Sequence, residues 1–414
     1  MKRFPPLLVL VIVLGLGLSV SFFPQAAQAS GAPADQAATK IVGYFPQWGI
    51  YGNYVAKNLV TSGSAPLLTH INYAFGNIVN NQCQSSDTLA DYQFQLPASE
   101  TVNGAADSSD PKAFAGNFHQ LQELKQLYPQ LKILMSIGGG SLDPALWSSA
   151  AAKENREAFV KSCIDMYIQG NFAAGITQPG IFDGFDIDWE FPSSPSDRVN
   201  LTKLMAEFRR QLDAVRPGLT LTLVAPPGSW AFNFIDLDKV QAFVDFFNVE
   251  TYDYDGPWEN ETGLVAPLYR TQFDPSGSNN ADATIQTYLR RKLDPQKMMF
   301  GIPFYGYAWT APPGRHHGLF EPGTPVDQGD GDNYIATIAG GYTKYRDPVT
   351  KAPWLYDGTT FWTYDDPTSI WFKMKYVQEQ HLGGVMIWEL SSDLPNGRLL
   401  KSIFKGLGRA QTAP

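Results

Sequence analysis

Phe182-Asp183-Gly184-Phe185-Asp186-Ile187-Asp188-Trp189-Glu190 is the stretch on which the reading of this chain turns. Acidic Asp186, Asp188 and Glu190 alternate with apolar Phe185, Ile187 and Trp189, the period of two that belongs to a β-strand. On a strand the three acids share one face, about 6.6 Å from one to the next. The apolar three take the other face, toward whatever helices cover it.

Outward from this strand, short apolar segments recur along the chain. Strands are predicted at Lys40–Phe45, His70–Phe75, Lys132–Ile137, Gly184–Glu190, Leu219–Ala225, Phe246–Tyr252, Met298–Pro303 and Gly384–Trp388. Helical periodicity occupies Phe118–Leu127, Arg156–Ile168, Leu201–Val215, Leu237–Phe246, Ile285–Leu293 and Pro367–Gln380. Eight strands separated mostly by helices predict an α/β fold, a closed (β/α)8 barrel of the TIM type. An open doubly wound sheet is the alternative, and no Gly-x-Gly-x-x-Gly follows the first strand to make it a dinucleotide binder. About 80 residues separate Pro303 from Gly384, rich in Gly, Pro, Tyr and Trp. A small α+β insertion over 310–375, between strands seven and eight, accounts for them better than a bare loop. The expected organisation is thus a short segment 30–39, barrel strands one to seven over 40–309, the insertion, and the end of the barrel over 376–414.

Composition narrows the partners. The 414 residues carry 40 acidic and 31 basic side chains, a net charge of −9, which argues against nucleic acid or an anionic membrane surface. Charged residues are 17% and aromatics 13%, with 10 Trp, 19 Tyr and 26 Phe, so the chain can bury a large core and is not disordered. So many Trp exceed what a core easily hides, and some are expected to line a cleft. Met1-Lys2-Arg3, an apolar run from Leu7 to Val20 and Ala27-Gln28-Ala29 before Ser30 have the form of a secretory signal over 1–29. A membrane anchor is the competing reading, but the run is short against the roughly 20 residues of a span. The expected product is secreted, extracellular and free of the membrane after cleavage. Export permits a disulfide between Cys83 and Cys163, whose pairing their spacing leaves open.

Three carboxyl groups stacked inside a barrel cannot all ionise cheaply. Repulsion and burial should leave one protonated near neutral pH. Glu190, last on its strand, would emerge at the C-terminal mouth, where a protonated carboxyl suits glycosidic bond cleavage. Binding of a hard cation such as Ca²⁺ competes, although a strand offers fewer converging oxygens than a loop. A solvated acidic edge also competes, against the interleaved Phe, Ile and Trp. Catalysis is the preferred reading, with no metal and no cofactor expected.

The same residues resemble the family 18 chitinases, whose signature is Asp-Gly-x-Asp-x-Asp-x-Glu; Asp183, Gly184, Asp186, Asp188 and Glu190 match its fixed positions. Ser136-Ile137-Gly138-Gly139 resembles the Ser-x-Gly-Gly motif of strand three, and Tyr252-Asp253 the Tyr-Asp pair ending strand six. Trp388 resembles the tryptophan flooring the cleft, Gly43-Tyr44-Phe45 and Tyr73-Ala74-Phe75 resemble strands one and two, and the insertion resembles the lid of the deeper-cleft subgroup. The resemblance implies retention without an enzyme nucleophile: the substrate's N-acetyl oxygen attacks the anomeric carbon and forms an oxazolinium. It implies Glu190 as acid and base, Asp188 orienting the acetamido group, Asp186 sharing a proton with Asp188, Tyr252 and Asp253 touching the substrate, and Trp388 stacking beneath it. Two positions depart from the family: Glu250 stands where Met is common, and Gly140 where Trp often follows the Gly-Gly pair. Glu250 would add a fourth inward carboxylate, pairing with a base or altering the pH profile.

Among loop and strand-end aromatics, Tyr44, Trp48, Trp258 and Trp309 are the candidates for stacking on sugar; Tyr51, Trp230, Trp354 and Trp362 share the choice between sugar contact and packing. The expected activity is a secreted, monomeric chitinase acting on chitin or N-acetylglucosamine oligomers through β-1,4 links. An endo-β-N-acetylglucosaminidase on N-glycans or cell-wall glycan is the alternative, and a silent chitin-binding lectin is disfavoured because Glu190 is present.

Overall fold

Eight strands form the ring: β1 (Lys40–Pro46), β2 (His70–Val79), β3 (Lys132–Gly138), β4 (Gly184–Asp188), β5 (Thr220–Ala225), β6 (Phe246–Val249), β7 (Met298–Pro303) and β8 (Gly384–Trp388). In this computed structural model, which describes residues 39–274, 279–326 and 330–409, each strand pairs in parallel with the next. β8 closes on β1, Lys40 opposite Gly384 and Gly43 opposite Ile387, so the sheet is a (β/α)8 barrel. The expected leader over 1–29 lies outside the described residues.

The alternation read from the acidic stretch decides which side chains go where. Phe185 and Ile187 join the apolar layer between barrel and helices, and Trp189 stacks there on Trp147, ring centroids 5.7 Å apart. Asp186 and Asp188 point into the barrel, among a second cluster that includes Val42, Tyr44, Leu134, Val224 and Met386. Gly184 opens β4 at φ 150, and a Cβ there would lie 1.8 Å from the Thr220 carbonyl oxygen, so β4 and β5 approach as closely as they do only through glycine. Asp183, one residue earlier, ties the barrel's N-terminal end: it accepts the Ile133 amide at 3.0 Å and pairs with Lys125 at 2.8 Å.

Several elements differ from the sequence expectation. β4 stops at Asp188 and β6 at Val249, leaving Glu190, Tyr252 and Asp253 on the loops that leave the strands rather than in them. The helix expected over 237–246 is one turn, Leu237–Val240, because Phe246 is already the first residue of β6. β2 runs on to Val79 and turns back at Asn80 and Asn81, both at left-handed φ, to pair with Gln82–Ser85.

After β7 the chain builds an antiparallel sheet. Tyr305–Thr310 pairs with Thr324–Pro325, Asp330–Gly331 and Thr360–Thr363, which continues through Pro353–Tyr356 to Thr343–Arg346. A helix at Asp332–Ile338 completes it. This lobe spans 305–363, against the 310–375 of the sequence reading. The following helix, Pro367–Glu379, is capped by Asp366, which accepts the Thr368 and Ser369 amides.

Cys83 and Cys163 form a disulfide joining the hairpin strand Gln82–Ser85 to the end of the helix Arg156–Cys163, across a sequence separation of 80. Closing a loop of that length constrains the unfolded chain, so the Cys83→Ser/Cys163→Ser pair should lose about 2–4 kcal/mol of stability. A melting curve checks it: the double variant and the reduced wild type should show the same lowered midpoint, and an unchanged midpoint contradicts it.

Candidate active site

The centre of the barrel is occupied by a buried, fully hydrogen-bonded carboxyl. Asp186 receives Tyr44 Oη at 2.6 Å and Ser136 Oγ at 2.8 Å on one oxygen, and Thr222 Oγ1 at 2.5 Å and Asn248 Nδ2 at 2.9 Å on the other. The donors come from β1, β3, β5 and β6, and strand register puts Ser136 and Thr222 directly beside it. Four donors filling both oxygens is the arrangement of a carboxylate rather than an acid. Burial pushes the Asp186 pKa up, and those donors oppose the shift.

Above it, a cavity of about 330 Å³ opens at the C-terminal mouth. Asp188, Glu190, Glu250, Tyr252 and Asp253 line it together with Tyr44, Trp48, Phe75 and Trp388. Burial is the largest cause raising the Asp188 pKa, followed by the neighbouring charges of Glu190, Asp186 and Glu250. Its Oδ1 is buried and has no hydrogen-bond partner among the described residues. Glu190 is pushed up to about 7, by burial first and by Asp253 second, while its bonds to Asp188 and the Gly140 amide hold it back. The missing side chain at Gly140 makes room for this carboxyl: a Cβ there would sit 3.1 Å from Glu190 Oε2. Gly138 has a similar reason, since its Cβ would fall 2.0 Å from the Asp188 carbonyl oxygen. Gly139, at φ 85, lies against the Phe75 ring.

The lobe after β7 completes the wall. Tyr305 Oη and Tyr307 Oη donate to Asp253 Oδ1 at 2.5 and 3.0 Å, so a loop residue of β6 is held by the inserted sheet. Tyr252 Oη donates to the Met386 sulfur at 3.7 Å. Glu250, expected to pair with a base or to alter the pH profile, makes no ion pair among the described residues; burial, then Glu190, Asp253 and Asp186, push its pKa well up. At the open end Phe75 stacks on Trp388 at 5.6 Å, and Trp48 lies 6.3 Å from both rings.

Not every sequence candidate arrives here. Trp309 is wholly buried in the lobe, donating to the Glu259 carbonyl at 3.0 Å, because its strand pairs on both sides and turns that ring into the lobe's own core. It is a packing residue, not a cleft residue. Trp354 and Trp362 are likewise buried there. Trp258 is 57% exposed, its ring edge-on to Tyr307 rather than on the cavity wall. Tyr44 is 2% exposed and reaches the site mainly through Asp186. Sequence reasoning missed Thr222 and Asn248; the signal was a polar residue in the middle of an otherwise apolar strand.

This constellation, a barrel-end cleft with stacked carboxyls and a floor of aromatics, is that of a polysaccharide-cleaving fold class. The profile of the glycosyl hydrolases family 18 matches residues 40–393, and the chain belongs to that family. It is 35% identical over 387 residues to chitinase C of Streptomyces lividans, covering 89% of this chain and 59% of that protein. The catalytic domain of psychrophilic chitinase B from Arthrobacter TAD20 superposes with a TM-score of 0.83 at 34% identity, over 92% of this chain and 97% of that one. A family 18 N-acetylglucosaminidase from Paenibacillus barengoltzii does so with a TM-score of 0.70 at 28% identity, over 89% and 99%. The chain spans about three fifths of the length of the first curated relatives it matches.

Because Asp253 is the main charged neighbour raising Glu190, removing that charge must lower the Glu190 pKa. The Asp253→Asn variant should titrate Glu190 below the wild-type value of about 7, read from carboxyl carbon shifts with Glu190→Gln to identify the signal. A midpoint that stays or rises contradicts the assigned cause.

Proposed function

We propose that the chain is a chitinase that hydrolyses β-1,4 links between N-acetylglucosamine units with retention, the substrate's acetamido group acting as nucleophile. The observation that carries this reading is the pairing at the cavity floor: Glu190, its pKa pushed up to about 7, lies beside Asp188, whose buried Oδ1 has no partner among the described residues.

In the proposed reaction the acetamido carbonyl oxygen attacks the anomeric carbon as the glycosidic C–O bond breaks. Glu190 gives its proton to the leaving oxygen, which departs as a hydroxyl. The ring nitrogen of the resulting oxazolinium carries the positive charge, and its N–H is the natural donor for Asp188 Oδ1. Water then adds at the anomeric carbon, its proton returns to Glu190, and the acetamido group reforms. Asp186 keeps a negative charge below Asp188 and so favours the cationic intermediate. Tyr252 Oη, which now reaches the weakly accepting Met386 thioether, is placed to donate to the acetamido oxygen, and Trp388 with Phe75 gives an apolar floor for a sugar face. Family membership and the names of its chitinase relatives support the same substrate.

With N-acetylglucosamine hexamer, Glu190→Gln should lower kcat by about a thousandfold or more while binding stays within a few-fold. Near-normal turnover in that variant would sink the assignment. The same assay on a high-mannose glycoprotein distinguishes an N-glycan endoglycosidase, which would release glycan and leave the hexamer largely intact. Secretion through residues 1–29 belongs to this reading as well; the N-terminus of protein recovered from culture medium should be Ser30, and an intact Met1 would contradict it.

A further inference from the structure

A second buried carboxyl, remote in sequence from Asp186, Asp188 and Glu190, grips the turn that carries a rim aromatic. The turn Gln47–Gly52 follows β1, and two of its neighbouring residues have opposite fates: Gln47 is 6% exposed and Trp48 is 47% exposed. Gln47 Nε2 donates to Asp91 Oδ1 at 2.5 Å. The same oxygen receives Tyr73 Oη at 2.5 Å, and Ser85 Oγ reaches Oδ2 at 2.5 Å. Asn117 Nδ2 donates to the Gln47 carbonyl at 3.0 Å and to Tyr73 Oη at 3.1 Å. At the other end of the turn, Tyr51 Oη donates to Asp87 Oδ2 at 2.6 Å. Asp87 Oδ1 meanwhile caps the helix Thr88–Tyr92, accepting the Leu89 and Ala90 amides.

Asp87 caps the start of the short helix Thr88–Tyr92 and Asp91 lies four residues on, near its end; between them they seize the turn at both ends, one from outside and one from inside the core. Trp48 stands between these two anchors and turns its ring to Phe75 and Trp388 on the cavity wall. Keeping Asp91 wholly buried is costly: burial lifts its pKa to about 7 even though three donors pull it down. An apolar residue would fill the space more cheaply, but it could not hold Gln47. We propose that Asp91, with Asp87, is a positioning pair that fixes Trp48 as a preformed stacking platform for a sugar unit at the edge of the cleft. The platform is then ordered when the chain folds, not when the oligosaccharide arrives, which strengthens binding without touching the bond that breaks. The inference rests on the reading of the cleft as an N-acetylglucosamine oligomer site and names the device that sets affinity there.

The test is a double-mutant cycle with the N-acetylglucosamine hexamer as substrate. Gln47→Leu keeps volume and removes the donor to Asp91; it should raise KM about fivefold with kcat within about twofold. Trp48→Ala should raise KM at least as much, and the Gln47→Leu/Trp48→Ala pair should be no worse than Trp48→Ala alone, since both act through one ring. Tyr51→Phe removes one exposed hydroxyl and serves if Gln47→Leu folds poorly; it should raise KM about twofold with kcat unchanged, again only when Trp48 is present. A wild-type KM in Gln47→Leu and Tyr51→Phe, multiplicative losses in the double variant, or an unaffected KM in Trp48→Ala each overturn the proposal. Failure of the functional reading itself shows differently, as an unaltered protein that neither binds nor cleaves the hexamer, and it takes the platform's purpose with it.

Discussion

One buried carboxylate sets the terms for the rest of the site. Asp186 lies at the axis of the barrel, out of reach of water, and a charge there is tolerable only with every lone pair used. Tyr44, Ser136, Thr222 and Asn248 supply the donors from four different strands. No single strand or hairpin could do this. The closed ring, with Ser136, Asp186 and Thr222 in register, is what brings the donors to one level. The hydrogen bonds in turn tie those four strands to β4 through their inward faces, where an all-apolar filling would give only packing.

That fixed charge then acts upward. Asp188 is two residues along the same face, so it meets the negative charge of Asp186 below and that of Glu190 above in a medium that screens neither well. Both upper groups consequently retain protons at pH values where exposed carboxyls have lost them. Glu250, just past the end of β6, adds another carboxyl without an ion-pair partner among the described residues, and its own ionisation is disfavoured by the same crowd. The cleft is thus a ladder of crowded carboxyls in which Asp188, Glu190 and Glu250 hold their protons more tightly than exposed acids do, the condition that acid-assisted cleavage asks for.

The aromatic surplus divides into three uses. One group, with Trp147 and Trp189 stacked at 5.7 Å, fills the layer between barrel and helices. A second, with Trp309, Trp354 and Trp362, fills the inserted lobe. Among the described aromatics, Phe75, Trp48 and Trp388, with Tyr44, Tyr252 and Tyr305, line the cavity. The lobe's contribution to the site is made by tyrosine hydroxyls that pin Asp253, not by its tryptophans.

Periodicity alone determined a good deal: eight strand segments, the inward direction of Asp186 and Asp188, the outward direction of Phe185 and Ile187, and the insertion before the last strand. These follow from local rules, since a strand alternates its faces whatever surrounds it. The acid ladder was legible for the same reason, and so was the cap at Asp366. Trp309 was misassigned because the end of a strand looks the same in sequence whether it opens on a cleft or on a second sheet. Tertiary structure alone decided that Cys83 meets Cys163, that Thr222 and Asn248 serve Asp186, that Tyr305 and Tyr307 hold Asp253, and that Gln47 is locked to Asp91. Each of these joins residues 36 to 80 positions apart, and such contacts are set by barrel closure and register, which no window of sequence contains.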